Sequence, residues 1–370
     1  MRRGPLLGLV ALLHLLIGLR LLAPLPTPAA WACGLALAGL YTLLVSSLTP
    51  IFQARMDRPW LVWSGLVAMG FFSSLLVLTV LREGLLLVAW LAGWQVEAAS
   101  AMAVPALAAL ASLWGLVNAR RRPAVREVTV PIEGLPPALE GFSIVQITDL
   151  HVGVTIQRAF VQRVVDTANA LQPDVIAVTG DSVDGQVEQL RTHIAPLAGL
   201  RARHGVFAVT GNHEYYSGAP AWIAEYRRLG MRVLLNEHVV LDHDGAPLLL
   251  AGVTDYTAGH FDAAQASDAT RALQGAPSGL RPRVLLAHQP RSAPAAAQAG
   301  FDVQLSGHTH GGQFLPWRWF VPLQQPYTAG LHRLQQLWVY TSRGTGYWGP
   351  PKRLGAPSEI TRVRLVAAPR

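Results

Sequence analysis

The sequence has only one cysteine and one lysine among its 370 residues, Cys33 and Lys352. A single cysteine excludes a disulfide within the chain, so cysteine usage places no constraint on the redox compartment. Charge is also scarce, since only nine arginines and three acidic residues precede residue 123. The remaining chain has 21 basic and 19 acidic residues and lacks a basic run or an aromatic ladder. We therefore expect no binding to nucleic acid.

Long apolar runs replace the missing charge in residues 1–118, which we predict to be a transmembrane helical region. Crossing a bilayer takes about 20 apolar residues. Four runs approach that length, at residues 5–23, 30–48, 61–81 and 99–117. A fifth run, residues 84–94, has only 11 residues, and we predict an interfacial or re-entrant segment there. A cleaved signal peptide is the alternative for the first run, and the three further runs favour a retained helix.

Arginine clusters predict the orientation of these four spans. The clusters are Arg2 with Arg3, Arg55 with Arg58, and residues 120–122. Four spans place all three clusters on one side, which the positive-inside rule assigns to the cytoplasm. We therefore predict a multi-pass protein of the inner (cytoplasmic) membrane with a cytoplasmic soluble domain, and the opposite orientation is the alternative. A passive anchor needs one helix, so four helices hint at a further role such as presenting a lipid-borne substrate.

The rest of the chain has the pattern of a soluble α/β domain. Residues 119–130 form a basic linker and a first strand, and residues 131–370 form the predicted domain. Apolar runs of strand length occur at residues 142–148, 174–180, 205–211, 247–253, 283–289 and 301–307. Helical periodicity occurs at residues 157–171, 187–200 and 219–230. This alternation predicts helices packed over sheet, with ligand residues just past the carboxyl ends of the strands.

Side chains of the types that ligate metals follow five of these strands. They are Asp149 and His151, Asp181, Asn212 with His213, His288, and His308 with His310. Asp and neutral His suit borderline divalent metals, and a spacing of two residues in extended chain points both side chains the same way. Two metals about 3.5–4 Å apart suit phosphoester hydrolysis. Asp181, from the middle of the set, is the candidate carboxylate bridge between them. Packing in the core explains a lone histidine such as His14. It does not explain ligand-type residues directly after five separate apolar strands.

The five blocks DLH, GDSVD, GNHE, the isolated His288 and GHTH resemble the calcineurin-like metallophosphoesterases, over residues 131–366. The block SRGTGYWGPPKRLGAPSEIT, residues 342–361, is similar to the membrane-associated bacterial branch of the YkuE and YaeI type. The resemblance implies an α/β metallophosphoesterase domain, a β-sandwich flanked by helices, after the four-helix transmembrane region. One departure is Thr254 before a single Asp255, where the branch often has paired aspartates near the substrate.

The resemblance also implies a role for each ligand. A first metal would be held by Asp149, His151 and His310, a second by Asn212, His288 and His308, with Asp181 shared. The cofactors implied are two divalent ions, with Mn preferred over Fe, Zn, Co or Mg. His213 resembles the family histidine that is not a ligand but contacts phosphate and protonates the leaving oxygen. Asp184 completes the second block and is expected to fix loop geometry.

These features together predict a membrane-anchored, metal-dependent phosphoric ester hydrolase that acts through metal-bound hydroxide. Its predicted partners are the lipid bilayer and a phosphoester, that of a phospholipid or lipid-linked phosphate. The alternative is a membrane transport or scaffold protein whose phosphoesterase-like domain only senses ligand, a function that would not need His213. Five aromatic side chains either line an apolar entrance or pack loops: Tyr215, Tyr216, Trp317, Trp319 and Trp348.

Overall fold

The computed structural model describes residues 3–52 and 58–369. Arg2 and Arg55, two of the arginines behind the predicted orientation, lie outside the described residues. The chain divides into two compact units. A helical unit comprises Met1–Arg120 and Gly349–Leu354, and a sheet unit comprises Arg121–Trp348 and Gly355–Arg370.

Four helices form most of the helical unit. They are α1 (Arg3–Leu21), α2 (Thr27–Phe52), α3 (Pro59–Leu91) and α4 (Glu97–Arg120). Each is long and apolar enough to cross a membrane. The four helices confirm the predicted fold class of the N-terminal region, and we treat the chain as a membrane protein.

The separate fifth segment predicted at residues 84–94 is wrong, because those residues up to Leu91 continue α3. At 1.5 Å per residue, its 33 residues make a helix about 50 Å long. Arg82 interrupts the apolar run but not the helix, because its guanidinium is satisfied inside the unit. It donates to Ser100 Oγ at 2.8 Å and to the carbonyl oxygens of Arg20 and Glu97. The charge therefore joins α3 to the end of α1 and the start of α4.

The short segment Gly349–Leu354 also belongs to the helical unit, although it is distant in sequence. Its Lys352 is buried, and the ammonium donates to the carbonyl oxygen of Gly70 at 2.9 Å and to the hydroxyls of Ser74 and Ser112. Small residues make room for this side chain. A Cβ added at Gly115 would lie 2.6 Å from Lys352 Cγ.

We expect Gly115→Val to destabilise the helical unit by about 1–3 kcal/mol, because the new side chain collides with the Lys352 stem. Thermal unfolding of the full chain in detergent measures the loss. Gly39→Val is the matched control, since no atom lies within 4 Å of a Cβ added at Gly39. Equal melting temperatures for the two variants would contradict the packing described around Lys352.

Among the described residues, the sheet unit has twelve strands in two six-stranded sheets. The first sheet has the order β1 (Ala124–Ile132), β12 (Glu359–Ala367), β2 (Ser143–Ile147), β3 (Val175–Thr179), β4 (Val206–Val209), β5 (Arg232–Val233). The second has the order β10 (Gly330–Leu334), β11 (Leu337–Thr341), β9 (Val303–Ser306), β8 (Arg283–Leu286), β7 (Ala246–Gly252), β6 (Glu237–His243). The helices of this unit are α5 (Arg158–Ala170), α6 (Val187–Ile194), α7 (Asn212–Tyr216), α8 (Ala219–Arg228) and α9 (Ala293–Ala299).

The two sheets share one apolar core and so form a β-sandwich. Ile144 and Val175 from the first sheet lie in the same buried cluster as Leu250 and Leu305 from the second. Each sheet has three neighbouring parallel strands, β2–β3–β4 in the first and β7–β8–β9 in the second. The candidate ligands follow five of these six strands. Parallel strands end at the same sheet edge. The α/β domain predicted from the strand and helix alternation is confirmed.

Candidate metal centre

The backbone turns sharply where the strands end. Five of the predicted ligands have a positive φ angle: Asp149 (54°), His151 (51°), Asp181 (52°), His308 (71°) and His310 (51°). A non-glycine residue in this region costs about 1–3 kcal/mol and persists only where surrounding structure enforces it. Such residues cluster at functional sites, and here the turns direct side chains of separate loops toward each other.

The first group of potential ligands comprises Asp149, His151 and His310, all buried. The Nε2 atoms of His151 and His310 lie 3.0 Å apart. His310 Nε2 lies 3.4 Å from Asp149 Oδ1. Three ligand atoms of suitable type thus converge on one point between β2 and the loop after β9.

The second group comprises Asp181, His288 and His308. His288 Nε2 lies 3.1 Å from Asp181 Oδ2 and 3.2 Å from His308 Nδ1. Asp181 Oδ2 is also 3.9 Å from His151 Nε2 of the first group. The carboxylate of Asp181 therefore lies between the two groups, where a shared ligand belongs.

Several features of the site fit a pair of bound cations. The buried amide oxygen of Asn212 has no hydrogen-bond partner among the described residues, although buried polar groups are normally paired. Glycines bring the loops unusually close. A Cβ added at Gly307 would collide with Asp149 Oδ2, and one added at Gly211 would collide with Asp181 Oδ1. Oxygen and imidazole nitrogen donors facing each other at this density suit divalent metals.

Asp184 holds two histidine rings in one orientation. Its Oδ1 accepts hydrogen bonds from Nδ1 of His151 at 2.9 Å and from Nδ1 of His213 at 2.6 Å. A carboxylate that accepts from Nδ1 fixes the tautomer and leaves Nε2 available. His151 Nε2 faces His310 within the first ligand group. His213 Nε2 lies 3.9 Å from Asp181 Oδ2 at the more exposed edge of the site.

Glu214 is a residue whose role the sequence did not reveal. Its fully buried carboxylate accepts hydrogen bonds from the backbone N–H groups of Gly211 (2.7 Å), Asp181 (2.9 Å) and Ser182 (2.8 Å). It also accepts from the hydroxyl of Tyr226 at 2.8 Å. One side chain therefore ties the loop after β3 to the loop after β4. Its place in GNHE gave the only sequence signal.

We expect Glu214→Gln to lower both stability and metal affinity. The amide NH₂ would face backbone donors, so at least one buried N–H would lose its acceptor at a cost of about 1–3 kcal/mol. Metal titration monitored by calorimetry and thermal unfolding together measure the effect. Glu188→Gln in α6 is the control, because Glu188 is exposed. Unchanged metal affinity in Glu214→Gln would show that the two loops keep their positions without this carboxylate.

Burial and neighbouring charges act oppositely on two histidines. Burial lowers the pKa of His308 to about 3, and nearby His288 acts in the same direction. The ring is therefore neutral, as a metal ligand must be. Burial also tends to lower the pKa of His213, but the carboxylates of Asp181 and Asp184 outweigh it and raise that pKa to about 9. The neighbouring negative charge therefore favours the positively charged, doubly protonated form of the His213 ring.

The predicted aromatic residues take different positions. Tyr215 is buried, and its hydroxyl donates to Gln265 Oε1 at 2.8 Å, so it packs a loop. Tyr216 and Trp348 are exposed, and their ring centroids lie 5.2 and 5.8 Å from that of His213. Trp317 and Trp319 are exposed on the chain after the His310 loop. The site edge next to His213 is therefore partly apolar.

Asp255, singled out at the departure from the family pattern, is fully buried. Its carboxylate accepts from Gln289 Nε2 at 3.0 Å and from the backbone N–H of Thr257 at 2.8 Å. Gln289 directly follows His288 in the chain. Asp255 thus supports the loop that carries a candidate ligand.

This chain is similar to several known proteins. Residues 142–312 match the family described as calcineurin-like phosphoesterase. A "transmembrane protein with metallophosphoesterase domain" from Bos taurus is 41% identical over 315 residues, which is 80% of this chain and 70% of that protein. The "uncharacterized metallophosphoesterase YkuE" of Bacillus subtilis is 31% identical over 252 residues, 65% of this chain and 84% of that protein. A solved 5'-nucleotidase precursor from Thermus thermophilus has a TM-score of 0.40 and 16% identity, covering 61% of this chain and 54% of its own.

Proposed function

This chain belongs to the calcineurin-like metallophosphoesterase family, and we propose that it is a membrane-anchored hydrolase of phosphoesters that uses two divalent metal ions. The observation that carries the proposal is the arrangement of two ligand groups around Asp181. His213 belongs to neither of these two groups but to a third set of potential ligand atoms with His151 and Asp184, and it stands at the edge of the two groups. That combination suits a reaction at phosphorus rather than a structural metal site, which would use a closed set of ligands.

The residues of the centre divide into metal ligands and one proton donor. Asp149, His151 and His310 would hold one ion, Asn212, His288 and His308 would hold the other, and Asp181 would bridge them. When bound, such ions neutralise phosphate oxygens and lower the pKa of water. We propose Mn ahead of Fe, Zn, Co and Mg; mixed carboxylate and imidazole donors suit divalent metals of this kind.

His213 is suited to protonate the leaving oxygen. Its Nδ1 is occupied by Asp184, so Nε2 is the atom that can reach a substrate. Its side chain is 15% exposed, whereas that of His151 is 1% exposed. A positioned general acid of this kind contributes about 10²–10⁴ in rate. A ligand-sensing protein would not require it, so His213 favours the enzyme over the transport or scaffold alternative.

We propose a phospholipid or another lipid-linked phosphoester as substrate. Two features support it: four helices are long and apolar enough to hold the chain in a membrane, and the positive-inside rule assigns three arginines, residues 120–122, to the cytoplasmic side. Basic residues at that position attract anionic headgroups. The proposed site is thus a cytoplasmic one on the inner membrane, and the activity of a reporter fused after Arg370 tests the orientation.

A substrate panel tests the proposed function. We expect the detergent-solubilised full chain with added Mn to hydrolyse lipid phosphoesters in mixed micelles faster than water-soluble nucleotides or sugar phosphates. Comparable turnover of both classes would overturn the lipid preference but not the hydrolase. Binding of two metals without hydrolysis of any phosphoester would instead favour the sensing function.

A further inference from the structure

A short exposed segment of unusual composition follows the loop that carries His308 and His310. Residues 315–323, LPWRWFVPL, form the aromatic segment; it contains no acidic residue and one arginine, Arg318. The exposed fractions are 69% for Trp319, 53% for Phe320 and 81% for Leu323. Water-soluble surfaces rarely leave several large apolar side chains exposed side by side, and such patches mark interaction sites.

The aromatic segment is held in a fixed relation to the candidate metal centre. A Cβ added at Gly312 would collide with the Cα of Arg318, so the two backbones are in direct contact. Gln313 lies between the His310 loop and the aromatic segment. Its side chain forms a pair of 2.9 Å hydrogen bonds with the backbone N–H and carbonyl of Trp348. The exposure of these aromatic rings is therefore built into the fold around the site.

The start of the aromatic segment is held by a second backbone contact. Phe314 forms a β-bridge with Gly355, and a Cβ added at Gly355 would lie 3.1 Å from Leu315 Cγ. Phe314, Leu315 and Gly355 all belong to the sheet unit, so the start of the aromatic segment is fixed within that unit.

We infer that the aromatic segment inserts into the headgroup region of the bilayer that anchors the chain. Trp side chains favour this interfacial layer, Phe and Leu side chains bury their apolar surface in it, and an arginine among them pairs with anionic lipid headgroups. The docked segment presents the metal centre to lipid phosphoesters at the membrane surface. This last step rests on the proposed function, whereas the contact with lipid does not.

Site-directed labelling tests the contact with lipid independently of turnover. Cys33 is the only cysteine, so Cys33→Ala gives a background for single cysteines. An environment-sensitive fluorophore is placed by Trp319→Cys, Leu323→Cys or, as control, Val240→Cys, an exposed apolar position on β6. The full chain is reconstituted in vesicles of phosphatidylcholine with phosphatidylglycerol, and quenching by lipids spin-labelled near the headgroup is measured.

We expect quenching at positions 319 and 323 and none at 240. Positions 319 and 323 quenched only by aqueous iodide, as at 240, would overturn the inference. Protection from both quenchers would also overturn it, since a second copy of the chain or another protein would then cover the segment.

Turnover of a lipid and of a soluble substrate tests whether the aromatic segment brings lipid phosphoesters to the metal centre. In Trp319→Ser/Leu323→Ser we expect kcat/KM for a phospholipid in vesicles to fall about tenfold or more, because interfacial binding scales with buried apolar area. Hydrolysis of soluble bis(p-nitrophenyl) phosphate should not change, which also shows that the variant is folded. An equal loss of kcat/KM on both substrates would overturn this role of the aromatic segment. A wild-type chain inactive on both would overturn the proposed function while leaving the quenching result intact.

Discussion

Asp181→Asn is expected to remove metal binding and to lower hydrolysis by at least about 10³, which exceeds the cost of losing a single preorganised electrostatic contact. Asp181 Oδ2 lies between His288 of one ligand group and His151 of the other. Its Oδ1 accepts the backbone N–H of His213 at 2.8 Å. The amide keeps the volume of the side chain but removes the negative charge that two adjacent cations require.

Metal content and activity of the purified full chain measure this effect together. Asp166→Asn is the control, because Asp166 is an exposed carboxylate on α5 and bonds to Gln162 on the same helix. Retention of two metals in Asp181→Asn would show that Asp181 is not shared by them.

His213→Ala is expected to retain both metals and to lose about 10²–10⁴ in kcat, because a general acid is removed while every predicted ligand remains. The loss should depend on the leaving group. An ester of an alkyl alcohol needs a proton on its leaving oxygen, whereas p-nitrophenolate leaves without one. We therefore expect a much smaller deficit with a p-nitrophenyl ester.

His260→Ala is the control for this variant, since His260 is an exposed histidine of the same unit. An equal deficit for alkyl and p-nitrophenyl esters would assign His213 to phosphate binding rather than proton transfer. Loss of one metal in His213→Ala would make it a ligand, contrary to the proposal.

The sequence could predict the strands and the candidate site because both depend on local pattern. An apolar run followed directly by Asp149, Asp181 or His308 indicates a buried strand and a ligand loop without knowledge of the partner strand. β12 lacked that signal, because it is an interior strand formed by pairing with β1 and β2, more than 200 residues earlier in the chain, and its sequence mixes charged and polar residues with apolar ones.

Two features could be recognised only in the folded structure. Glu214 acts by accepting three backbone N–H groups from two loops, and such contacts leave no side-chain pattern in the sequence. The continuation of α3 beyond Leu81 depends on Arg82 being satisfied by α1 and α4. A hydropathy pattern ends the predicted span at this charge. In the folded protein, the hydrogen bonds of Arg82 offset the free-energy cost of burying it.

Metal stoichiometry linked to hydrolysis tests the central claim most directly. The purified full chain is stripped with chelator, titrated with Mn, and assayed for bound metal by mass spectrometry and for hydrolysis of a lipid phosphoester at each step. We predict no activity without metal and full activity at two ions per chain. Full activity in the stripped protein, or saturation of activity at one ion with the second never bound, would contradict the proposed two-metal phosphoesterase.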